Sequence, residues 1–240
     1  VYLFGEGAEL NVNDGAVISV NGAYAISGNG TKTATQDCGD TVIRITGGTI
    51  TQVGEGGAIY HPQNGVLSIS GNPTITGDSG IQLCSGEGVV ASVAGGTVRA
   101  TGTDQREGKT GDGFIPDGAA LSIVNRNYPG GVPKMSISGG SFEAATGFGV
   151  LAYTWNQNEA QEWPQASQYL VISGGSFAND PSAYVAEGFR VTGAGPYVVS
   201  SIATPTPEPT VNPTPAPTPE TTPDDSDSNN SETPAATPAP

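Results

Sequence analysis

The chain has 240 residues and a formal net charge of −15, with 36 glycines and 19 prolines. The alternating apolar residues are mostly Val, Ile and Leu, set between Gly, Asn, Asp and Ser, and this composition favours strands and turns over helices. An acidic chain without a basic stripe is a poor partner for nucleic acid or an anionic membrane surface. No apolar run approaches the roughly 20 residues of a membrane helix, so we expect no membrane insertion within this segment.

Composition divides the chain near residue 203. All glycines precede this point, whereas 11 of the 19 prolines follow it together with six acids and no base. Proline removes backbone donors, and too few apolar residues remain in this part to form a core. We therefore predict one folded domain over residues 1–202 and a disordered, Pro/Thr/Asp-rich linker over residues 203–240.

The folded part contains a repeated motif, which we call the refrain. In each refrain a strand of alternating apolar and polar residues leads into a short turn of the Gly-Gly type. Residues 1–30 show the same alternation with irregular spacing, and because it is present from Val1 we expect a domain truncated at its N-terminal end. The first glycines of the five refrains are separated by 24, 24, 44 and 35 residues. Such spacing indicates a solenoid, in which each repeat buries its apolar face by stacking on its neighbours. The refrains cover residues 43–50, 67–75, 90–98, 135–142 and 170–177.

A second short strand follows each of the first four refrains, at 57–60, 80–83, 118–123 and 149–153. The two connecting corners differ in length, with one insertion of 19 residues at 99–117 and another of 16 residues at 154–169. Insertions in stacked repeats emerge as loops on one edge and often carry function. After the last refrain, Asp180 and Pro181 could begin a single helical turn that covers the final strand edge.

These motifs resemble bacterial surface proteins with right-handed parallel β-helix repeats, particularly those of gut Firmicutes. The resemblance depends on the Ile-Ser-Gly-Gly-Ser-Phe refrain, the Gly-Ala-Ile-Tyr strand, the ending at 180–189 and the Thr-Pro tail, and it covers residues 8–240. It implies an all-β, single-stranded, right-handed parallel β-helix. It also implies a secreted or wall-attached, extracellular protein, most of whose relatives have no established activity.

Polysaccharide lyases and hydrolases share this architecture, so we considered their chemistry. Their Asn-Thr-Asp, Gly-His-Gly and Arg-Ile-Lys patterns are absent, and the single histidine, His61, excludes a site with several histidines. The 19-residue corner contains Asp104, Asp112 and Asp117, which could bind calcium or act as paired carboxylates. A solvated loop is the favoured interpretation of these charges, and we predict no cofactor.

An aromatic set gives a stronger functional hint, because its members fall in or beside one corner of successive repeats. An exposed ring offers a sugar an apolar face, and neighbouring amides bind its hydroxyls. The alternative is that the tryptophans fold inward and fix their own loop. The set contains Tyr60, Tyr128, Tyr153, Trp155, Trp163 and Tyr169, and the predicted ligand-binding residues are Tyr128, Tyr153, Trp155, Trp163, Asn156 and Asn158.

We therefore predict a non-catalytic, monomeric surface module that binds a carbohydrate or host-surface ligand in the manner of an adhesin. One alternative is a β-helix enzyme that acts on polysaccharide with acids of the 99–117 corner. Another is a purely structural spacer with no ligand. Cys38 and Cys84 lie too far apart for a disulfide if they occupy similar places two repeats apart, and we expect both to be buried thiols.

Overall fold

The computed structural model describes residues 1–28, 40–84, 89–108, 113–126, 131–145 and 147–202. Within these ranges the chain is all-β, as predicted, and the only helices are two short 3₁₀ turns, Ala166–Gln168 and Ser182–Tyr184. Contacts between residues divide the chain into two units, Val1–Ala203 and Thr204–Pro240. The predicted linker, residues 203–240, lies outside the described residues. No helix in the described part is long and apolar enough to cross a membrane.

The first ten strands are β1 (Tyr2–Leu3), β2 (Glu9–Val12), β3 (Val17–Asn21), β4 (Tyr24–Gly28), β5 (Thr41–Ile45), β6 (Thr49–Val53), β7 (Gly57–His61), β8 (Gly65–Ile69), β9 (Thr74–Gly77) and β10 (Ser79–Leu83). The remaining strands are β11 (Val89–Ala100), β12 (Leu121–Asn125), β13 (Lys134–Ala144), β14 (Val150–Asn156), β15 (Glu159–Gln161), β16 (Leu170–Ile172), β17 (Gly175–Phe177), β18 (Phe189–Thr192) and β19 (Tyr197–Ser201).

The strands form two sheets between which the chain passes repeatedly. The second strands of the repeats make a seven-stranded sheet in the order β1-β4-β7-β10-β12-β14-β15. The refrains make a twelve-stranded sheet, whose longest path is β18-β19-β17-β13-β11-β8-β5-β2. Consecutive repeats pair in parallel throughout both sheets. The pairs β14–β15, β17–β19 and β18–β19 are antiparallel, so both sheets are mixed.

The refrains pair in register, which places their apolar positions in continuous inward rows. One row runs through the last apolar residue of each refrain, and every member is almost completely buried. Its final two rings, Phe142 and Phe177, stack with centroids 4.9 Å apart. Such rows form the core, because each side chain is covered by the repeats on either side. The row consists of Ile50, Ile75, Val98, Phe142 and Phe177.

The Gly-Gly turns have a steric cause. The first glycine lies against the backbone of the preceding repeat: a Cβ atom on Gly174 would come within 2.2 Å of the Ser138 carbonyl oxygen. The second glycine has a positive φ, +109° at Gly175, which residues with a side chain rarely adopt. Glycine therefore permits both the close stacking of the repeats and the bend of the chain.

The C-terminal end of the refrain sheet is covered by other elements. Strand β19 pairs antiparallel with β17, and the Ala186 amide donates to the Ile172 carbonyl of β16. A helical turn was expected to begin at Pro181 with Asp180 as its N-cap; the structure has a shorter 3₁₀ turn, Ser182–Tyr184, with Pro181 at the N-cap. Asp180 contributes to it, since its Oδ1 accepts a hydrogen bond from the Ser182 amide at 2.9 Å. These contacts satisfy edge groups that would otherwise be unpaired.

Candidate functional site

Residues 113–117, at the end of the 19-residue corner, fold back over the outer face of the seven-stranded sheet. Phe114 and Ile115 are fully buried there, and the Phe114 ring meets the Tyr60 ring edge-on at 5.5 Å between centroids. Tyr24 packs against both rings. This outer face is therefore a second apolar cluster rather than a solvated surface. We call residues 113–117 the cover.

Gln82 anchors the cover from strand β10. Its Nε2 donates to the Ile115 carbonyl at 2.7 Å and to Asp117 Oδ2 at 3.0 Å, and its Oε1 accepts from the Ile115 amide at 3.0 Å. Asp117 Oδ2 also accepts from the Tyr153 hydroxyl at 3.1 Å, and Asp117 Oδ1 accepts from the Ala119 amide at 3.1 Å. The buried carboxyl of Asp117 is thus enclosed by donors, which suits a structural anchor.

Burial changes the titration of this network. It raises the pKa of the Asp117 carboxyl, and the hydrogen bonds that Asp117 accepts oppose that rise. Burial, followed by the neighbouring Asp117 charge, raises the pKa of Tyr153 well above its usual value. Both side chains are about 0 to 2% exposed. Because Asp117 is fully buried, a substrate cannot contact its carboxylate in this arrangement. The structure therefore does not favour Asp117 as a catalytic acid.

Of the three candidate acids of the corner, Asp104 and Asp117 are each engaged by other side chains. Asp104 is paired with Arg106 through two hydrogen bonds of 2.8 Å, and this pairing holds the pKa of Asp104 below its usual range. The Arg106 guanidinium also lies 5.5 Å from the centre of the Tyr153 ring. Asp112 lies outside the described residues. Within them, no group of three or more His, Cys, Asp or Glu could hold a metal ion.

The predicted aromatic site needs correction in one respect. Tyr153, Trp155 and Trp163 are 2%, 5% and 8% exposed, so the expectation of open ring faces at these positions is wrong. Tyr153 and Trp155 point to the outer face of β14 and are buried in the same cluster as Phe114. The sequence pattern could not reveal this, because the covering residues lie in a distant corner. Ligand binding at this corner stays a prediction, and Tyr128 lies outside the described residues.

The amides of the predicted site are exposed. Strands β14 and β15 form an antiparallel hairpin whose tip is Asn156, Gln157 and Asn158. Gln157 and Asn158 have φ values of 53° and 64°, as a tight two-residue hairpin turn requires. These residues have a local structural reason for their identity, and the predicted rings that the structure describes, Tyr153, Trp155 and Trp163, are buried.

Trp163 packs into the core at its C-terminal end. Part of the same side chain lines an open cleft. Its ring stacks on Tyr169 at 5.1 Å between centroids. The cleft is about 300 Å³ in volume and lies between the two 3₁₀ turns. Tyr184, which is half-buried, forms part of the opposite side, and burial raises the pKa of its hydroxyl. The lining consists of Ala152, Glu162, Trp163, Pro164, Ala166, Ser167, Ala183 and Tyr184.

This cleft, which we call the end cleft, combines apolar rings with free polar groups. Among the described residues, no hydrogen bond or ion pair engages the Glu162 carboxylate or the Tyr184 hydroxyl. Of the residues that line the cleft, only Trp163 was among the predicted ligand-binding residues. The helical turn was predicted near Tyr184, but only the folded chain brings that turn beside Trp163.

A larger groove of about 420 Å³ lies on the refrain sheet between β13, β17 and residues 195–196. Its two aromatic members, Phe142 and Phe177, are 1% and 0% exposed, so their rings belong to the core. The groove offers a ligand mainly backbone and small side chains. We therefore regard the end cleft as the better candidate for a specific ligand site.

Two further reactive side chains are buried. Cys84 is a free thiol, as expected, and burial raises its pKa to about 12, which makes it unreactive as a nucleophile. Cys38 lies outside the described residues. His61 is fully buried at the end of β7, and neither ring nitrogen has a hydrogen-bond partner within the described structure. Burial lowers the pKa of His61 to about 4. A neutral, enclosed imidazole cannot act as a surface base.

No protein-family model, no curated protein and no solved structure matches this chain. Function is therefore inferred from its own residues and geometry.

Proposed function

We propose that residues 1–202 are a non-catalytic module of a secreted or wall-attached surface protein, and that the module binds a carbohydrate or host-surface ligand at the end cleft. The observation that carries the proposal is an open cleft of about 300 Å³ that is lined by the half-buried Tyr184 ring and by Trp163, which keeps 8% of its surface exposed. Ring faces with nearby polar groups are the usual means of binding a sugar. The volume lies at the small end of ligand sites, which suits a few sugar units at most.

We also propose that the repeats form a right-handed parallel β-helix of the kind found in bacterial surface proteins. The in-register parallel pairing of consecutive refrains and the alternation of the chain between two sheets support this architecture. Right-handed crossovers are the rule for parallel strands. A rigid, stacked body would present the end cleft at a fixed position.

The proposal is tested on the full chain with an array of neutral, amino and acidic oligosaccharides, followed by calorimetry with the trimers that bind. Tyr184→Leu keeps apolar volume but removes the ring, and we expect it to weaken binding about tenfold. Tyr2→Leu is the matched control, because Tyr2 is 60% exposed on β1 at the other end of the seven-stranded sheet. Circular dichroism checks that both variants fold. Equal affinity of both variants would exclude the end cleft.

A purely structural spacer is the second candidate, and it is favoured by the burial of Tyr153 and Trp155. It predicts no ligand at all. A blank array with the correctly folded full chain would support the spacer and contradict the binding module.

A further inference from the structure

The residues around the end cleft carry a net negative charge. Glu162 is the only acid in its lining, and no base lines it. Over residues 147–202 the chain has four acids and a single base, Arg190, which gives this region a balance of −3. Asp180, one of the four acids, already accepts hydrogen bonds from Ser182. A ligand entering the cleft therefore meets a negative potential with one uncommitted carboxylate in the lining.

The chemical surroundings of that carboxylate are aromatic. Trp163 and Tyr184 line the same small cleft as Glu162. The negative faces of aromatic rings attract cations, and a carboxylate adds a charge-assisted hydrogen bond. Glu162 is exposed, and a neutral ligand gains no charge-assisted contact from it. An acidic sugar would be repelled.

The lining does not suit a divalent metal ion. Such ions take several oxygen ligands, and the described residues contain no group of three or more potential ligands of the His, Cys, Asp or Glu type. An organic ammonium needs only one carboxylate and an apolar surface. It is therefore the cation that this cleft fits.

We propose that the end cleft selects sugars that carry a free ammonium group, namely amino sugars, over their N-acetylated and acidic counterparts. The inference rests on the proposed function, since it names the ligand class of the same cleft. Glu162 binds the ammonium, and the half-buried Tyr184 ring packs on the apolar face of the sugar beside the small exposed part of Trp163. Ser167, exposed in the same lining, is available to a hydroxyl.

The test is calorimetry on the full chain with four probes, at about 0.15 M ionic strength to screen distant charges. The probes are the trimers of glucosamine, N-acetylglucosamine and galacturonic acid, and Nα-acetyl-lysine methylamide. We expect the glucosamine trimer to bind about tenfold more tightly than the N-acetylated trimer, as one charge-assisted contact allows. The galacturonic acid trimer should not bind. In Glu162→Gln the ratio should fall to about one. Glu6→Gln, which removes the same charge from an exposed site just after β1, should keep the full ratio.

The outcomes separate the two proposals. Binding of both glucosamine-type trimers with a ratio near one would overturn the amino-sugar inference and leave the proposed function standing. No binding of any trimer would overturn the amino-sugar inference, and the proposed function would fall only if the oligosaccharide array were blank as well. A preference that persists in Glu162→Gln would show attraction by the overall charge of −15 rather than by the cleft, and it would overturn the inference. Tighter binding of Nα-acetyl-lysine methylamide than of the glucosamine trimer would assign the cleft to a protein ligand instead.

Discussion

The outer faces of the two sheets differ, although both sheets are built from the same repeats. In the refrain strand β5 buried and more exposed residues alternate, as expected for a sheet with one face in water. In β7 and β10 all five residues are buried. The cause is the cover, which excludes water from the second sheet. A repeating scaffold thus has one surface determined by its own pattern and another determined by an insertion.

The largest loss of stability should come from weakening the packing of the cover. Phe114→Ala deletes a fully buried ring that packs on Tyr24 and Tyr60, and we expect it to lower the free energy of unfolding by about 4 kcal/mol. Val66→Ala is the matched change on the open face of the refrain sheet, where Val66 is 40% exposed. Val66→Ala should lower the free energy of unfolding by less than about 1 kcal/mol. Urea denaturation measures both, and similar losses would show that the cover contributes little.

The next effect is a pH dependence that arises at β7. His61 has a folded-state pKa of about 4 against an ordinary value of 6.5, so the unfolded chain binds a proton that the folded chain rejects. Stability should therefore fall by about 3 kcal/mol as the pH drops from about 6.5 to about 4. His61→Leu removes this contribution, and Leu matches the register neighbour Leu83. If the slope of stability against pH between about 6.5 and 5 is the same in His61→Leu as in the unchanged protein, the assignment to His61 is contradicted.

A smaller effect should come from the refrain turns. Gly174→Ala would place its Cβ atom 2.2 Å from the Ser138 carbonyl oxygen and force neighbouring repeats apart, at a cost of about 2 kcal/mol. Gly108→Ala is the control, because a Cβ atom there meets nothing within 4 Å. Thermal melts compare the two variants. If Gly174→Ala is tolerated as well as Gly108→Ala, the close approach of the repeats does not constrain the sequence.

The local elements were predictable because each depends on nearby residues. The refrain strands follow from alternation, the turns from paired glycines, and the helical turn from Asp180 and Pro181. The buried anchor was not predictable. Gln82 and Asp117 are 35 residues apart, and nothing in their local sequence distinguishes an anchoring amide from a solvated one. Tyr153 was correctly placed in a strand, whereas Trp155 was assigned to the 154–169 corner and lies in β14. The exposure of both was misjudged because the cover is not a neighbour in sequence.

The sequence alone determined the all-β character and the period of the repeats, since both arise from the preferences of short segments repeated along the chain. Only the tertiary structure decided which surfaces meet water. Burial is a property of the whole packed body, and the 19-residue corner could have extended into solvent or folded back with the same local pattern. The end cleft has the same origin. Trp163 and Tyr184 lie 21 positions apart, and they line one cleft because the two 3₁₀ turns meet over the end of the core.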